Sequence, residues 1–267
     1  MRRPIIDDVL TADGLRTRLN AEVLGRDIFC LSETTSTNVI ARERAQKGGP
    51  DGTLVIAETQ TAGRGRQGRK WYSPKGAGIY MSIILRSPFH TRRPEILSLL
   101  GAFTTATAIR AEADVRADMK WPNDVILNGK KVAGVLGDSG HGGGPPFVIL
   151  GIGVNVNTTA EDFPPDLAEI ATSLRIECDR EFSRAALIAS IVDRFEEFYL
   201  RTEAEALTDL ITAIRPLCSS LDQRVRVKHE RELVTGRAVD IDQTGALIVE
   251  TADENRHRFL GGEVTLL

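Results

Sequence analysis

Asn128-Gly129 stands between two strand-like runs, Asp124 to Leu127 and Val132 to Leu136, and this dipeptide enters the positive-φ backbone of a tight reversal more readily than almost any other pair. The chain is therefore expected to double back here and pair two antiparallel strands. Residues 28–32, residues 53–60, Ile79 to Leu85 and the run FVILGIGVNV at Phe147 to Val156 also read as strands. Helical spacing separates them. Ser36 and Thr37 can cap a helix through Asn38 to Ala45, and Ile96, Leu99, Leu100, Phe103, Ala106 and Ile109 recur as the apolar face of a long core helix. An antiparallel pair set among alternating strands and helices predicts an α+β fold, a mixed central sheet with helices packed against it.

Leu15, Leu19 and Leu24 fit a single N-terminal helix within residues 1–27, and GDSGHGGGPP at 137–146 reads as a flexible connection. Ser183 can cap a helix whose stripe runs from Leu187 to Tyr199, followed by a second helix at about 203–213. From about residue 221 the texture changes to short strands, RVRVKH, ELVTGRAVDID, ALIVET and HRFL to EVTLL, separated by turns. That pattern predicts a small β-barrel. With fewer than ~50 residues it would be marginal alone and should dock on the larger part. The expected division is thus residues 1–220 and residues 221–267.

Lys+Arg number 34 against 37 Asp+Glu among 267 residues, a net charge of -3 that argues against a general nucleic-acid binder. Any phosphate chemistry must then be local. Cys30, Cys178 and Cys218 are odd in number and far apart, with no CxxC spacing, as in a reduced cytoplasmic protein. Arg2 and Arg3 are not followed by an apolar segment, and no stretch approaches the ~18 apolar residues of a membrane span. His90, His141, His229 and His257 are isolated from one another and from the cysteines, so no local pattern suggests a protein-held transition metal.

Two basic clusters carry the chemistry. Gly63, Gly65 and Gly68 spell a GxGxxG after a strand, yet arginines interleave the glycines and Ser73 to Gly78 continues as loop, whereas a dinucleotide fingerprint opens a helix at once. Glycines admit close backbone approach to a ligand, and Arg64, Arg66, Arg69 and Lys70 bring charge suited to phosphate or carboxylate. This reads as a phosphate-handling flap. Lys120-Trp121-Pro122-Asn123-Asp124 and Lys130-Lys131 surround the predicted hairpin, and Asn155 and Asn157 interrupt an apolar strand where an amide needs a partner, with a nucleotide one candidate.

Glu33-Thr34-Thr35-Ser36-Thr37-Asn38, Gln60 with GRGRQGRKW, KWPNDV with KKVAGVL, and GIGVNVN, in this order, closely resemble the biotin protein ligases over residues 28–157, and the C-terminal segment resembles their SH3-like domain. The resemblance implies a two-step reaction. Biotin and MgATP give biotinyl-5'-adenylate and pyrophosphate, then a lysine of a biotin carboxyl carrier protein attacks the mixed anhydride. Carried over by position, Ser36, Thr37, Asn38, Gln60, Gly63, Arg64, Gly65, Arg66 and Lys131 bind biotin, with Thr37 and Gln60 at its ureido ring. Arg66, Arg69, Lys70, Trp71, Lys120, Asn123, Asp124 and Asn155 belong to the ATP and magnesium side, and Lys131, Arg64 and Arg66 are the catalytic cations. Joining a carboxylate to an α-phosphate brings two anions together, so preorganised positive charge is what such a site must supply. For the second step Asp124 and bulk solvent remain alternative proton acceptors.

Members that also repress transcription carry an N-terminal winged helix, for which the ~30 residues before the first motif are too few, so a monofunctional ligase without nucleic-acid partners is expected. Asp138 stands near where many members have a glutamate, which leaves its role open, as is that of a homodimer. A lipoate or octanoyl ligase of the same general fold is the enzyme alternative, against which the GRGRQGRKW and KWPND pairing argues.

Overall fold

The computed structural model describes residues 8–87, 91–201 and 204–267; Arg2, Arg3 and His90 lie outside them. Seven strands, β1 (Ile28–Leu31), β2 (Leu54–Ala57), β3 (Gly78–Leu85), β4 (Ala117–Lys120), β5 (Asp124–Leu127), β6 (Lys130–Gly140) and β7 (Phe147–Asn155), form one sheet in the order β1-β2-β3-β7-β6-β5-β4. Only β1 and β2 pair in parallel, around the crossover helix α2 (Thr37–Gln46) that follows the short α1 (Ala12–Arg16). The remaining neighbours are antiparallel, including the β5–β6 pair that turns at Asn128-Gly129, where both residues hold positive φ. The sheet is therefore mixed.

The two faces of this sheet differ. Ile79, Met81, Ile83 and Leu85 of β3, with Val148, Leu150, Ile152 and Val154 of β7, point into the main core. There they meet α3 (Pro94–Ala113) and, after α4 (Pro165–Ala168) and α5 (Leu174–Cys178), α6 (Arg184–Tyr199). On the opposite face Ile84, Phe147 and Ile149 pack beneath Ala41 and Ala45 of α2. Farther along that face the register sets Ser82 beside Gly151 and Tyr80 beside Gly153. Apolar bulk thus gives way to small residues, and beyond α2 the sheet is left with a hollow.

Helix α7 (Ala204–Ile214) leads to a five-stranded antiparallel sheet, β8 (Arg224–His229), β9 (Glu232–Ile241), β10 (Leu247–Glu250), β11 (Arg256–Phe259) and β12 (Glu263–Leu266), ordered β11-β10-β9-β8-β12. This SH3-like unit docks through its β9–β10 turn. The indole N–H of the buried Trp121 donates to the Gly245 carbonyl at 3.0 Å, and Arg215 Nε donates to Asp240 Oδ1 at 2.8 Å.

Three local expectations are corrected. Leu15 lies in α1, but Leu19 and Leu24 do not extend that helix. Asp193 of α6 instead accepts the N–H groups of Asn20 and Ala21, and Glu196 accepts those of Glu22, Val23 and Leu24, so two carboxylates replace the helical ladder. Strand β6 runs on to Gly140, pairing Gly137 to Gly140 with Leu150 to Phe147, so the connection shrinks to residues 141–146. The 53–60 strand ends at Ala57, and β4 is an additional edge strand.

Candidate active site

A cavity of about 950 Å³ occupies the hollow, running from Ser36 at the start of α2 to β12 of the small sheet. Of the residues that the resemblance assigns to biotin or ATP, all but Gly63 line it. Gly63 lies behind the wall, where its carbonyl accepts the Trp71 N–H at 3.0 Å and an added Cβ would fall 2.5 Å from the Trp71 carbonyl. Asp138 is also elsewhere, 2.5 Å from Arg42 of α2.

At the α2 end, Ser36 is the N-cap by backbone position but makes no side-chain capping bond. Gln60 does that work from the neighbouring strand end. Its Oε1 accepts the Thr37 N–H at 2.8 Å and the Thr37 hydroxyl at 3.2 Å, while its Nε2 donates to Ser73 Oγ at 2.9 Å. Ser82, which the sequence reading passed over, completes the cluster at 2.8 Å from Thr37 Oγ1 and 2.6 Å from Asn38 Oδ1. An added Cβ on Gly151 would lie 2.2 Å from Asn38 Oδ1, so only glycine admits this packing. Ser36, Thr37, Asn38 and Ser82 are buried polar groups, a composition that favours a ligand with complementary donors and acceptors.

The arginine-rich loop is a small hairpin rather than open coil. Arg64 pairs with Lys70 across it, Gly65 N–H donates to the Arg69 carbonyl at 2.7 Å, and residues Arg66–Gly68 form a 3-10 turn with Gly68 at φ +75°. Both ends of the turn are tied down. Arg66 Nη1 donates to Asn123 Oδ1 at 2.7 Å, and Arg69 pairs with Glu263 of β12. Burial is the first cause that lowers the Arg66 pKa below its ordinary value; Asp124 opposes that shift and Arg69 adds to it. Hydrogen bonding from Arg69 holds the Glu263 carboxyl below the usual range.

Lys131 Nζ lies 2.6 Å from Asp124 Oδ1. Their meeting depends on a bulge: Val125 pairs with Ala133 but Ile126 pairs with Lys131, leaving Val132 as an extra residue. Asp124 faces Gly134, three residues from Lys131, and without the bulge the two side chains would point to opposite faces. The lysine backbone is pinned as well, its N–H donating to the Ile170 carbonyl and its carbonyl accepting the Thr172 N–H, both at 2.9 Å. Trp71 lies flat over Gly134 and Gly153, with Lys131 Nζ 5.5 Å from its ring.

The asparagines divide. Asn155 Nδ2 donates to the Thr172 carbonyl at 3.0 Å while the residue lines the cavity, whereas Asn157 bonds the Phe182 backbone through both its oxygen and its nitrogen, each at 2.9 Å. Asn157 is thereby occupied by structure. The sequence reading also missed the wall formed by Tyr72, Phe163, Leu167 and Ile170. The 163, 167, 170 spacing, with Pro164-Pro165 opening a turn of helix, was the available signal.

Comparison with known proteins agrees with this arrangement. Residues 29–155 match the biotin/lipoate A/B protein ligase family, and residues 220–267 match the biotin protein ligase C-terminal domain. The chain is 36% identical over 245 residues to the bifunctional ligase/repressor BirA of Bacillus spizizenii, covering 91% of this chain and 75% of that protein. It is 31% identical to the biotin–acetyl-CoA-carboxylase ligase of Mycobacterium tuberculosis, covering 93% and 91%. Among solved structures, the biotin protein ligase from Aquifex aeolicus in complex with biotin and ATP superposes with a TM-score of 0.79 at 28% identity, covering 91% of this chain and 99% of that one. With sequence, fold and cavity in agreement over both sheets, the chain belongs to the biotin protein ligase family.

Proposed function

We propose that this enzyme activates biotin with ATP and passes the biotinyl group to a lysine of a biotin carboxyl carrier domain, within the cytoplasm. The observation that carries the reading is the Lys131–Asp124 pair set between a buried polar pocket and an arginine-bearing hairpin. In the first step a biotin carboxylate oxygen attacks the α-phosphorus and pyrophosphate leaves. In the second, the acceptor amine attacks the acyl carbon and AMP leaves as the C–O bond breaks.

Thr37, Gln60 and Ser36 would hold the ureido end, in a pocket whose buried hydroxyls and amides suit a cyclic urea better than a dithiolane. Lys131 and Arg64 would offset the charge of the two anions as they meet, with Trp71 against the adenine and Arg69, Lys70 and Lys120 toward the phosphates. Magnesium fits as an ion delivered with ATP. Asp124 offers one carboxylate and the Asn155 Oδ1 stays free to ligate, while the described residues hold no group of three or more His, Cys, Asp or Glu able to cage a metal. That ion would supply further charge neutralisation on the phosphates. Asp124 Oδ1 is occupied by Lys131, so it is open to the acceptor amine only while Lys131 is engaged by the adenylate.

Residues 1–220 would carry these functions and residues 221–267 would support them. The cytoplasmic reading draws on three unpaired cysteines and on the absence, among the described residues, of any helix long and apolar enough to cross a membrane. The test incubates the purified chain with biotin, ATP, magnesium and a biotin carboxyl carrier domain and follows the carrier by mass. Addition of one biotinyl group to one lysine is expected. Lipoyl addition under the same conditions with lipoate, and no biotinyl addition, would overturn the proposal.

A further inference from the structure

Strand β7 does not accompany β6 along its whole length. Their pairing begins at Ala133 opposite Val154, which leaves the Lys131 backbone beyond the end of the shared ladder. Residues 170–172 take up that edge as a surrogate strand: Ala171 forms a parallel bridge with Lys131, and the Ile170 carbonyl and the Thr172 N–H bond its backbone. The segment joins two short helices, and apart from this bridge it belongs to no strand. Lys130 Nζ fastens its near end by donating to the Ala168 carbonyl at 2.9 Å. A side chain aimed from such a place is only as well fixed as the segment beside it.

Glu177 of α5 holds the other end. The helix is itself anchored: Ser173 Oγ accepts the Ile176 N–H at 3.1 Å and donates to the Thr158 carbonyl at 2.6 Å, and the Arg175 N–H donates to the Val156 carbonyl at 2.8 Å. From this platform Glu177 Oε1 accepts the Thr172 hydroxyl at 2.5 Å, and its Oε2 accepts Asn128 Nδ2 at 2.5 Å. One carboxylate therefore joins two parts that both end at Lys131. The first is the segment paired with the lysine backbone, and the second is the turn between β5, which carries Asp124, and β6, which carries Lys131. Thr172 is buried, so without the carboxylate its hydroxyl loses its partner where water is scarce. Glu177 does not line the cavity, so its influence on the site must pass through these neighbours.

We propose that Glu177 is a positioning residue for adenylate formation, bracing Thr172 and Asn128 so that the Lys131 ammonium stays where the biotin carboxylate and the α-phosphate meet. The proposal rests on the ligase reading above. A cation that offsets charge in a transition state contributes through its placement, and a displacement of about 1 Å is enough to cost a large part of the rate. The bonds from Glu177 are short and made to an ionised acceptor, the strong class of hydrogen bond, as a brace of this kind requires.

The test is a double-mutant cycle in the full chain: the parent, Glu177→Ala, Lys131→Ala and the two together, with biotin-dependent pyrophosphate release as the readout and thermal unfolding to verify the fold. Glu177→Ala is expected to lower kcat about tenfold while the KM for biotin stays within about twofold, because Thr37 and Gln60 at the far end of the cavity do not touch the brace. In the Lys131→Ala background the same change should cost less than about twofold, since the brace then has nothing to aim. Glu177→Gln should recover most of the rate: its Oε1 still accepts from Thr172, and its Nε2 can donate to Asn128 Oδ1 once that amide turns over. Should Glu177→Ala unfold, Thr172→Val removes the hydroxyl bond alone and goes through the same cycle with the same expectation. Equal fold-losses with and without Lys131 would overturn the proposal and make Glu177 a support of the fold at large. So would a folded Glu177→Ala or Thr172→Val variant that turns over at the parent's rate. Failure of the ligase reading itself is distinguishable, because the parent would then release no pyrophosphate with biotin.

Discussion

The ammonium of Lys131 and the carboxylate of Asp124 lie 2.6 Å apart across a one-residue bulge in β6. The lysine is thereby held in the cavity before any substrate arrives, and the reorganisation needed to meet the joining anions is small. Preorganised charge of this kind is the largest single contribution in many enzymes.

Lys131→Ala is accordingly expected to slow adenylate formation by ~10²–10³, the loss of one charge-assisted contact made in the transition state. Biotin-dependent pyrophosphate release measures that step alone. A rate equal to the parent's would remove Lys131 from the chemistry and leave it as the partner of Asp124.

Arg66 anchors the hairpin tip to Asn123 from a partly desolvated position. Arg66→Gly should leave Lys131 to make the adenylate but let the loop open sooner, so that biotinyl-adenylate escapes and labels bystander lysines. An unrelated lysine-rich protein, incubated with the variant, biotin and MgATP, should be biotinylated well above the parent's level. Adenylate that forms yet stays bound as long as in the parent would assign the anchoring to other residues.

The glycines of β7 were visible in the sequence as GIGVNVN, but their purpose was not. Gly153 admits the Trp71 indole, whose Cε2 would stand 2.5 Å from an added Cβ, and Gly134 supports the same ring from β6. Gly153→Ala must therefore displace a rigid aromatic side chain, at a cost of ~1–3 kcal/mol for overpacking. If Trp71 lies against the adenine, the KM for ATP should rise about tenfold while biotin binding, followed by titration calorimetry, changes little. Equal losses for both ligands would mean that the indole supports the whole cavity.

Much of the fold was legible because periodicity and turn chemistry are local: the Asn128-Gly129 reversal, the α3 stripe and the short C-terminal strands all rest on neighbours in sequence. What escaped depends on distant partners. Leu19 and Leu24 look helical until Asp193 and Glu196, about 170 residues away, take the backbone N–H groups. Ser82 reads as one polar residue in an apolar strand, and only the β3–β7 register and the position of α2 bring it to Thr37 and Asn38. The Lys131–Asp124 approach needs a bulge that no spacing rule announces.

Arg69 and Glu263 join the hairpin to β12, yet both side chains are substantially exposed, so the pair is worth at most ~1 kcal/mol. Glu263→Gln should raise adenylate leakage only two- to fivefold, and the exchange Arg69→Glu with Glu263→Arg should restore the parent's level. Because its folded-state pKa is depressed, the carboxylate's contribution is present above the ordinary glutamate range and lost as pH falls through the lowered value. In the parent, leakage caused by protonating Glu263 should therefore appear only as pH falls below the ordinary glutamate range. An increase already present at neutral pH in the charge-exchanged variant would show that the pair is not the connection that matters.

The last prediction concerns the turn that seats the small sheet. Gly245 has φ +83°, and an added Cβ would stand 2.6 Å from Leu99 Cδ1 and 2.8 Å from Ile96 Cδ1, while its carbonyl accepts the Trp121 indole N–H. Gly245→Val adds a β-branched side chain where the backbone disfavours one and where the α3 core leaves no room. The turn should lift from α3, costing ~2–4 kcal/mol of stability and loosening Trp121, which immediately precedes Pro122 and the cavity residues Asn123 and Asp124. Both half-reactions should then slow, adenylate formation through Asn123 and Asp124 and transfer through displacement of β12, which walls the cavity. Truncation after Asp222 should do the same more severely. Thermal unfolding with pyrophosphate release and carrier labelling, measured on one preparation, decides the matter: a stably folded variant whose two half-reactions both run at the parent's rates would show that the small sheet rides on the catalytic part without serving it.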